Sequence, residues 1–278
     1  MLRRYLDVDV FTDQPYRGNP LAVVVDGDGL TTEEMQRFAH WTNLSETVFL
    51  LPPTDPAADY RVRIFDPMNE MTFAGHPTLG SCHAWLVAGG TSRHADRVVQ
   101  ECGVGLVTVA RDSANGRLAF AAPPLRRSGP LEPEERADAL ATLGLGEADV
   151  VDSAWIDNGP GWMGFLLPSA EAVLAIRPGA TTRNIGVVGP HPAGSECAVE
   201  VRAFFPLNGL TAEDPVTGSL NASIAQWLIG NGTLPADYVA AQGTVLGRTG
   251  RVHVHRDAAG DTWIGGAVIT CVEGTVSL

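Results

Sequence analysis

The sequence lacks lysine, and every one of its 19 basic residues is an arginine. Without a lysine amine the protein can form no Schiff base with a substrate or with pyridoxal phosphate, and it has no lysine-based phosphate loop. The segment Gly103-Val104-Gly105 also lacks the third glycine of a dinucleotide site. We therefore expect no pyridoxal, nicotinamide or flavin cofactor.

Cysteine and positive charge are also scarce. No C-x-x-C pair occurs, so neither a metal site nor a disulfide framework is expected. The net charge of −13 opposes binding to nucleic acid or to an anionic membrane. With no signal-peptide pattern and no apolar run of membrane-spanning length, we expect a cytoplasmic protein that acts on a small molecule. The four cysteines are Cys82, Cys102, Cys197 and Cys271.

Turn signals divide the 278 residues into short helices and strands. Thr31 and Glu34 form a capping-box pattern before a helix that is predicted to end near Asn43. Alternating apolar and acidic residues predict a half-exposed strand over residues 6–10, and residues 251–278 predict a β-meander. The proline-rich segment Pro123–Pro133 is interpreted as a linker between two halves of about 140 residues each.

An internal repeat relates the two halves. Val62–Thr72 matches Val201–Thr211 at an offset of 139, with six of the eleven residues identical. A Pro-x-x-Gly-Ser segment then matches at an offset of 138, Pro77–Ser81 with Pro215–Ser219. We infer a duplicated unit in which a strand and a loop lead into an apolar helix.

The repeat aligns His76 with Asp214, directly before the two prolines. Proline is favoured in the first turn of a helix, where free N–H groups and the helix dipole attract carboxylates. We therefore predict that His76 and Asp214 bind polar groups of a small anionic substrate. The alternative is that both residues merely cap their helices.

Glu46 lies between the predicted helix end and an apolar strand. Apolar neighbours would desolvate its carboxylate and raise its pKa towards the range in which it can both take and return a proton. No acid occupies the matching place in the second half of the chain. The sequence thus predicts a single acid/base, Glu46, and the alternative is an ordinary surface glutamate.

Four motifs in combination resemble the PhzF family of phenazine-biosynthesis isomerases, and the resemblance spans nearly the whole chain. They are Gly18-Asn19-Pro20, Asn43-Leu44-Ser45-Glu46-Thr47, Ala74–Gly80 and Glu213–Ser219.

The resemblance implies an α+β fold of the diaminopimelate-epimerase type. In that fold two pseudo-symmetric half-domains each wrap a curved mixed sheet around a central helix, with the active site between them. The expected half-domains are residues 1–125, joined by residues 265–278, and residues 126–264. The family's acid/base glutamate falls on Glu46, and a homodimer is also implied. The implied substrate-binding residues are Asn19, Ser45, Gly75, His76, Asp214, Gly218 and Ser219.

The implied activity is a cofactor-independent proton shift within a small unsaturated cyclic carboxylate derived from an amino acid, in bacterial secondary metabolism such as antibiotic biosynthesis. The substrate is expected to be either dihydro-hydroxyanthranilate-like or a pyrroline- or proline-type intermediate. One departure is Leu220-Asn221, where family members commonly have Ala-His, and it predicts a reshaped pocket. The alternatives are an epimerase or racemase, which would need two opposed cysteines, and a non-catalytic small-molecule-binding relative.

Overall fold

The computed structural model describes residues 1–112, 114–207 and 209–278. Contacts divide the chain into unit 1, which comprises Met1–Ala121 and Gly265–Leu278, and unit 2, which comprises Ala122–Ile264. The sequence-based boundary after residue 125 stays a prediction.

Helices and strands follow one another along the described residues. The α-helices are α1 (Thr32–Thr42), α2 (Gly75–Val87), α3 (Pro133–Leu143), α4 (Ala170–Ala175) and α5 (Gly218–Gly230). The strands are β1 (Leu2–Val10), β2 (Asn19–Val24), β3 (Thr47–Leu51), β4 (Tyr60–Phe65), β5 (Glu70–Met71), β6 (Arg97–Cys102), β7 (Gly105–Arg111), β8 (Leu118–Ala121), β9 (Arg127–Gly129), β10 (Asp152–Asp157), β11 (Trp162–Leu166), β12 (Asn184–Pro190), β13 (Val199–Leu207), β14 (Leu210–Asp214), β15 (Asp237–Gln242), β16 (Gly250–Arg256), β17 (Thr262–Gly266) and β18 (Val268–Ser277). Among the described residues, no helix is long and apolar enough to cross a membrane.

The two units repeat one series of strand pairings. In unit 1, β1–β2 is antiparallel, β2–β3 parallel, β3–β4 and β4–β5 antiparallel, β4–β6 parallel and β6–β7 antiparallel. In unit 2, the strands β10 to β16 are paired in the same sequence of directions. This correspondence supports the duplication inferred from the sequence.

Each unit surrounds one apolar helix with strands. Helix α2 packs against strands of unit 1 that include β1, β2, β3 and β8, and α5 packs against β10, β11 and β16 of unit 2. The first two turns of each helix are buried on nearly all sides, as expected for a helix that is apolar all round. The starts of α2 and α5 are therefore held in place by the packed sheets around them.

The sequence around α1 determines where this helix ends, and therefore where Glu46 lies between α1 and β3. The predicted capping box of Thr31 and Glu34 is present, and Met35, Phe38 and Ala39 face the core. Asn43 ends the helix in the left-handed conformation (φ 55°), which asparagine tolerates better than most residues. The helix end predicted near Asn43 is confirmed.

Three sequence-based expectations about strands are wrong. Strand β1 is not half-exposed, because Asp9 is only 2% exposed. The segment interpreted as a linker contains β9, which pairs antiparallel with β10, and its last residue, Pro133, begins α3. The C-terminal residues are not a simple meander, because β18 pairs antiparallel with β1 at the opposite end of the sequence. All three errors concern contacts between residues that are distant in sequence.

The structure contains the repeat, but beyond the hairpin the offset between equivalent residues differs from the offset found in the sequence. Phe65 pairs with Glu70, whereas Phe204 pairs with Glu213, so the hairpin of unit 2 contains four more residues. In unit 1 the side chain of Asp66 accepts hydrogen bonds from two backbone N–H groups of the turn. Phe205 stands at that place in unit 2, and the strands continue beyond it. Asn208, which the repeat matches with Asn69, lies outside the described residues.

Beyond the hairpin, equivalent residues are therefore separated by 143 positions. Arg63 donates two hydrogen bonds to Glu70, and Arg202 donates two in the same way to Glu213. The helix starts Gly75 and Gly218 have the same separation. Pro77 thus lies in the first turn of α2, whereas Pro215 precedes α5, so the predicted place of the second proline is wrong.

Candidate active site

Glu46 and His76 are adjacent within unit 1. Glu46 directly precedes β3, and His76 is the second residue of α2. Oε2 of Glu46 lies 3.4 Å from Nδ1 of His76, and the two side chains are 15% and 6% exposed. The structure therefore brings the predicted acid/base beside one predicted substrate-binding residue, in a largely desolvated place.

Burial keeps the imidazole of His76 neutral. Desolvation lowers its pKa from 6.5 to about 3, and the nearby carbonyl of Pro20 offsets only part of this effect. At neutral pH, His76 can donate from one ring nitrogen and accept at the other, but it carries no charge.

The Gly-Asn-Pro motif borders the same part of unit 1. The buried carboxylate of Asp9 accepts a hydrogen bond from the backbone N–H of Gly18 at 3.1 Å. A Cβ atom on residue 18 would lie 2.3 Å from the carbonyl oxygen of Val10, so the glycine is required by close packing. Asn19 begins β2 and is buried.

The other two predicted residues of unit 1 differ in exposure. Ser45 is exposed next to Glu46, and Gly75 is the buried first residue of α2. The structure thus places the predicted residues of this unit around the start of α2 and the entry to β3.

The predicted residues of unit 2 surround the start of α5. Asp214 ends β14, and its Oδ2 accepts a hydrogen bond from Oγ1 of Thr217 at 2.6 Å. The side-chain amide of Gln242 donates to the carbonyl of Asp214 and to Thr217 Oγ1, and it accepts from the N–H of Thr217. Gly218 and Ser219 are the first two residues of α5. Gln242 therefore fixes Asp214 relative to the helix start.

Ser219 contacts two further side chains of unit 2. Its Oγ accepts a hydrogen bond from the indole N–H of Trp162 at 3.0 Å. Its carbonyl accepts one from Nδ2 of Asn158 at 2.9 Å. Sequence reasoning missed both residues, because each lies on or near a strand about 60 positions away and belongs to no recognised motif.

The predicted equivalence of His76 and Asp214 is wrong. At the separation of 143 positions, His76 corresponds to Ser219, since each is the second residue of its helix. Asp214 corresponds to Met71, because these two residues pair with equivalent residues of β13 and β4. His76 and Asp214 therefore do not occupy equivalent positions in the two units.

Leu220 and Asn221 are both fully buried. The side chain of Leu220 fills the space beside Gly186, where an added Cβ would lie 2.2 Å from Leu220 Cδ1. Nδ2 of Asn221 donates to the carbonyl of Thr217 and to Oε1 of Gln242. These side chains pack within unit 2 and support the helix, and the reshaped pocket stays a prediction.

The helix starts carry no thiol of the kind that an epimerase of this fold would need. The first two residues are Gly75 and His76 in α2, and Gly218 and Ser219 in α5. Cys82 lies further along α2, where burial raises the pKa of its thiol to about 12. Across the described ranges, no group of three or more potential ligands from His, Cys, Asp and Glu is placed to hold a metal ion.

Comparisons with known proteins agree over nearly the full length. The family model of phenazine biosynthesis-like proteins, PhzC-PhzF, matches residues 8–274. The chain is 34% identical over 289 residues to antisense-enhancing sequence 1 of Schizosaccharomyces pombe, with 97% of each chain covered. It is 32% identical over 268 residues to the trans-2,3-dihydro-3-hydroxyanthranilate isomerase of Pseudomonas aeruginosa, with 94% of this chain and 92% of the relative covered.

A solved structure supports the same fold. The PhzF-family phenazine biosynthesis protein of Bacillus anthracis superposes with a TM-score of 0.82 over 100% of both chains, at 22% identity. At that identity the likeness concerns the fold alone. The α+β fold of the diaminopimelate-epimerase type predicted from the sequence is thereby confirmed.

Proposed function

This chain is an isomerase of the PhzC-PhzF family, and we propose that it moves a proton between two carbon atoms of a small unsaturated cyclic carboxylate derived from an amino acid. The observation that carries the proposal is the contact of 3.4 Å between Glu46 and a buried, neutral His76. The proposed substrate is either dihydro-hydroxyanthranilate-like, as the name of the Pseudomonas aeruginosa relative suggests, or a pyrroline- or proline-type carboxylate of secondary metabolism.

In the proposed reaction, Glu46 is the only acid/base. Its carboxylate takes a proton from one carbon, the C–H electron pair enters the conjugated system, and the double bond shifts. The carboxyl group then returns the proton to another carbon of the same system, which regenerates the carboxylate. Neutral His76 does not compete for that proton at physiological pH, and it can hold both Glu46 and a polar group of the substrate by hydrogen bonds. No cofactor takes part in this scheme.

We assign the predicted residues of unit 2 to substrate binding. The free N–H groups at the start of α5 and the hydroxyl of Ser219 suit a carboxylate. The carboxylate of Asp214 suits an amino or hydroxyl group, and Gln242 holds it in a fixed position. In unit 1, Asn19, Ser45 and Gly75 complete the proposed set around Glu46 and His76.

The test is the variant Glu46→Gln, assayed with trans-2,3-dihydro-3-hydroxyanthranilate and with pyrroline carboxylates. Glutamine keeps the size of the side chain but cannot relay a proton, so kcat should fall by about 100- to 10,000-fold. Glu46→Asp moves the carboxylate by about 1 Å and should lose about 100-fold. The matched control is Glu33→Gln, because Glu33 is an exposed residue of α1.

One outcome of the assay would contradict the proposal. A folded Glu46→Gln variant that keeps turnover within a few-fold of the parent would exclude Glu46 as the catalyst. Turnover in D2O adds a second readout, because a proton that exchanges with solvent while on Glu46 places deuterium on the carbon that receives it.

A further inference from the structure

We propose that Trp162 is a positioning residue that directs the hydroxyl hydrogen of Ser219 towards the substrate. The hydroxyl of Ser219 at the start of α5 would then favour a hydrogen-bond acceptor in the substrate, and a carboxylate is the group that fits. This inference rests on the proposed function, because it assumes that Ser219 binds substrate.

The chemistry of the two side chains sets the direction of their hydrogen bond. An indole N–H can only donate, so the oxygen of Ser219 must be the acceptor in the contact of 3.0 Å with Trp162. A serine hydroxyl has one hydrogen, and the donor of Trp162 occupies one of its two lone-pair directions. The hydroxyl hydrogen therefore points away from Trp162 and remains available for another group.

The indole cannot easily turn away from this contact. Trp162 is 4% exposed and begins β11, which pairs with β10 on one side and with β12 on the other. The backbone of Ser219 is held as well, since Asn158 donates to its carbonyl at 2.9 Å. Both partners are thus fixed before any ligand arrives, which lowers the entropic cost of binding.

The hydroxyl hydrogen of Ser219 has no acceptor among the described residues. Within the residues that the structure describes, Ser219 Oγ donates to no side chain or carbonyl. The same helix start presents backbone N–H groups that have no intrahelical partner. A carboxylate placed there would accept from these N–H groups and from the oriented hydroxyl, whereas an ammonium group would face the same donors and is suited by the carboxylate of Asp214 instead.

The experiment compares Trp162→Phe, Ser219→Ala and the double variant by steady-state kinetics with the substrate that the parent turns over. Loss of one hydrogen bond predicts a fall in kcat/KM of roughly five- to tenfold for Trp162→Phe, mainly through a higher KM. Because Trp162 is proposed to act only through Ser219, the double variant should equal Ser219→Ala. Trp155→Phe is the matched control, since it also removes a buried indole donor of unit 2, to Glu135, and should leave KM unchanged.

Each other result overturns the inference. Independent, multiplicative losses in the double variant would mean that Trp162 does not act through Ser219. A normal KM in Trp162→Phe together with a raised KM in Ser219→Ala would reject the inference but leave the proposed function intact. A normal KM in Ser219→Ala would remove Ser219 from substrate binding, while the test of Glu46 would still stand.

A spectroscopic measurement covers the case in which Trp162→Phe does not fold. The chain has six tryptophans, so the parent and Ser219→Ala can be compared by their indole N–H resonances. Loss of the acceptor should move one resonance upfield in Ser219→Ala. If no indole resonance moves, the hydrogen bond is absent and the proposal fails.

Discussion

Burial of neutral His76 predicts that the protein loses stability as the pH falls below 6.5. The folded state holds the pKa of His76 at about 3, whereas the unfolded chain has the ordinary value of 6.5. Between these values the unfolded state binds a proton that the folded state does not. The free energy of unfolding therefore decreases as the pH falls through this window, and above pH 6.5 His76 contributes no pH dependence.

The size of the effect follows from the two pKa values. Each pH unit inside the window costs about 1.4 kcal/mol, so His76 alone removes about 2 kcal/mol at pH 5 and at most about 5 kcal/mol at pH 3. That maximum is a large share of the typical stability of a domain, about 5–15 kcal/mol. Acid should therefore unfold the protein partly through this one imidazole.

Urea unfolding at pH 7.5 and pH 5, followed by tryptophan fluorescence, measures the effect. The parent should lose about 2 kcal/mol more between these pH values than His76→Asn does, because asparagine does not titrate and keeps a polar atom near the position of Nδ1. His94→Asn is the matched control, since His94 is exposed, and it should follow the parent. Parallel curves for the parent and His76→Asn would refute the reasoning, because they would mean that His76 is not held neutral.

Three further predictions concern the frame and the assembly. Arg202→Met should lower the free energy of unfolding by about 3–5 kcal/mol, because it leaves the largely buried Glu213 unpaired. Arg63→Met should lower it by about 1 kcal/mol or less, because its partner Glu70 is more exposed. Chemical denaturation measures both changes. Gly18→Ala should reduce the melting temperature, since its Cβ would overlap a carbonyl oxygen, and an unchanged value would contradict that packing. The homodimer implied by family resemblance should sediment as about twice 29.4 kDa, and a monomer at micromolar concentration would speak against it.

Local features could be predicted from the sequence. The capping box of Thr31 and Glu34 and the helix end at Asn43 each depend on residues within a few positions of one another. Such patterns favour the same local structure in an isolated segment and in the folded chain. The neighbourhood of Glu46 was predictable for that reason, because a helix end and a strand start confine it.

Features that depend on distant contacts could not be predicted. Asp9 looks like an exposed strand residue until the N–H of Gly18, which lies just before β2, donates a hydrogen bond to its carboxylate. The pairing of β1 with β18 joins the two ends of the chain. Gln242 lies more than twenty residues beyond Asp214 and Thr217, and no pattern in the sequence indicates that its amide connects them.

The corrected repeat also bears on the choice between a one-base and a two-base mechanism. Thr47 pairs with Phe65 and Ile185 pairs with Phe204, so the residue equivalent to Glu46 is Asn184, which cannot exchange a proton. The helix starts likewise differ, with His76 in one unit and Ser219 in the other. A two-base epimerase needs a proton-exchanging group from each copy of the repeat, and at these positions such groups, Glu46 and His76, come from unit 1 alone.

The two copies share their structural framework and differ in the residues proposed to contact the substrate. The Arg–Glu pairs and the glycines that begin the helices occur in both units, and they fix where each helix starts. The groups able to carry charge, Glu46 and Asp214, occupy places whose counterparts are Asn184 and Met71. Each copy supplies an acid near its helix start, but the two acids stand at non-equivalent places, Glu46 before β3 and Asp214 at the end of β14, so the repeat contains no matched pair of bases. That asymmetry favours a proton shift within one substrate over inversion of a carbon centre.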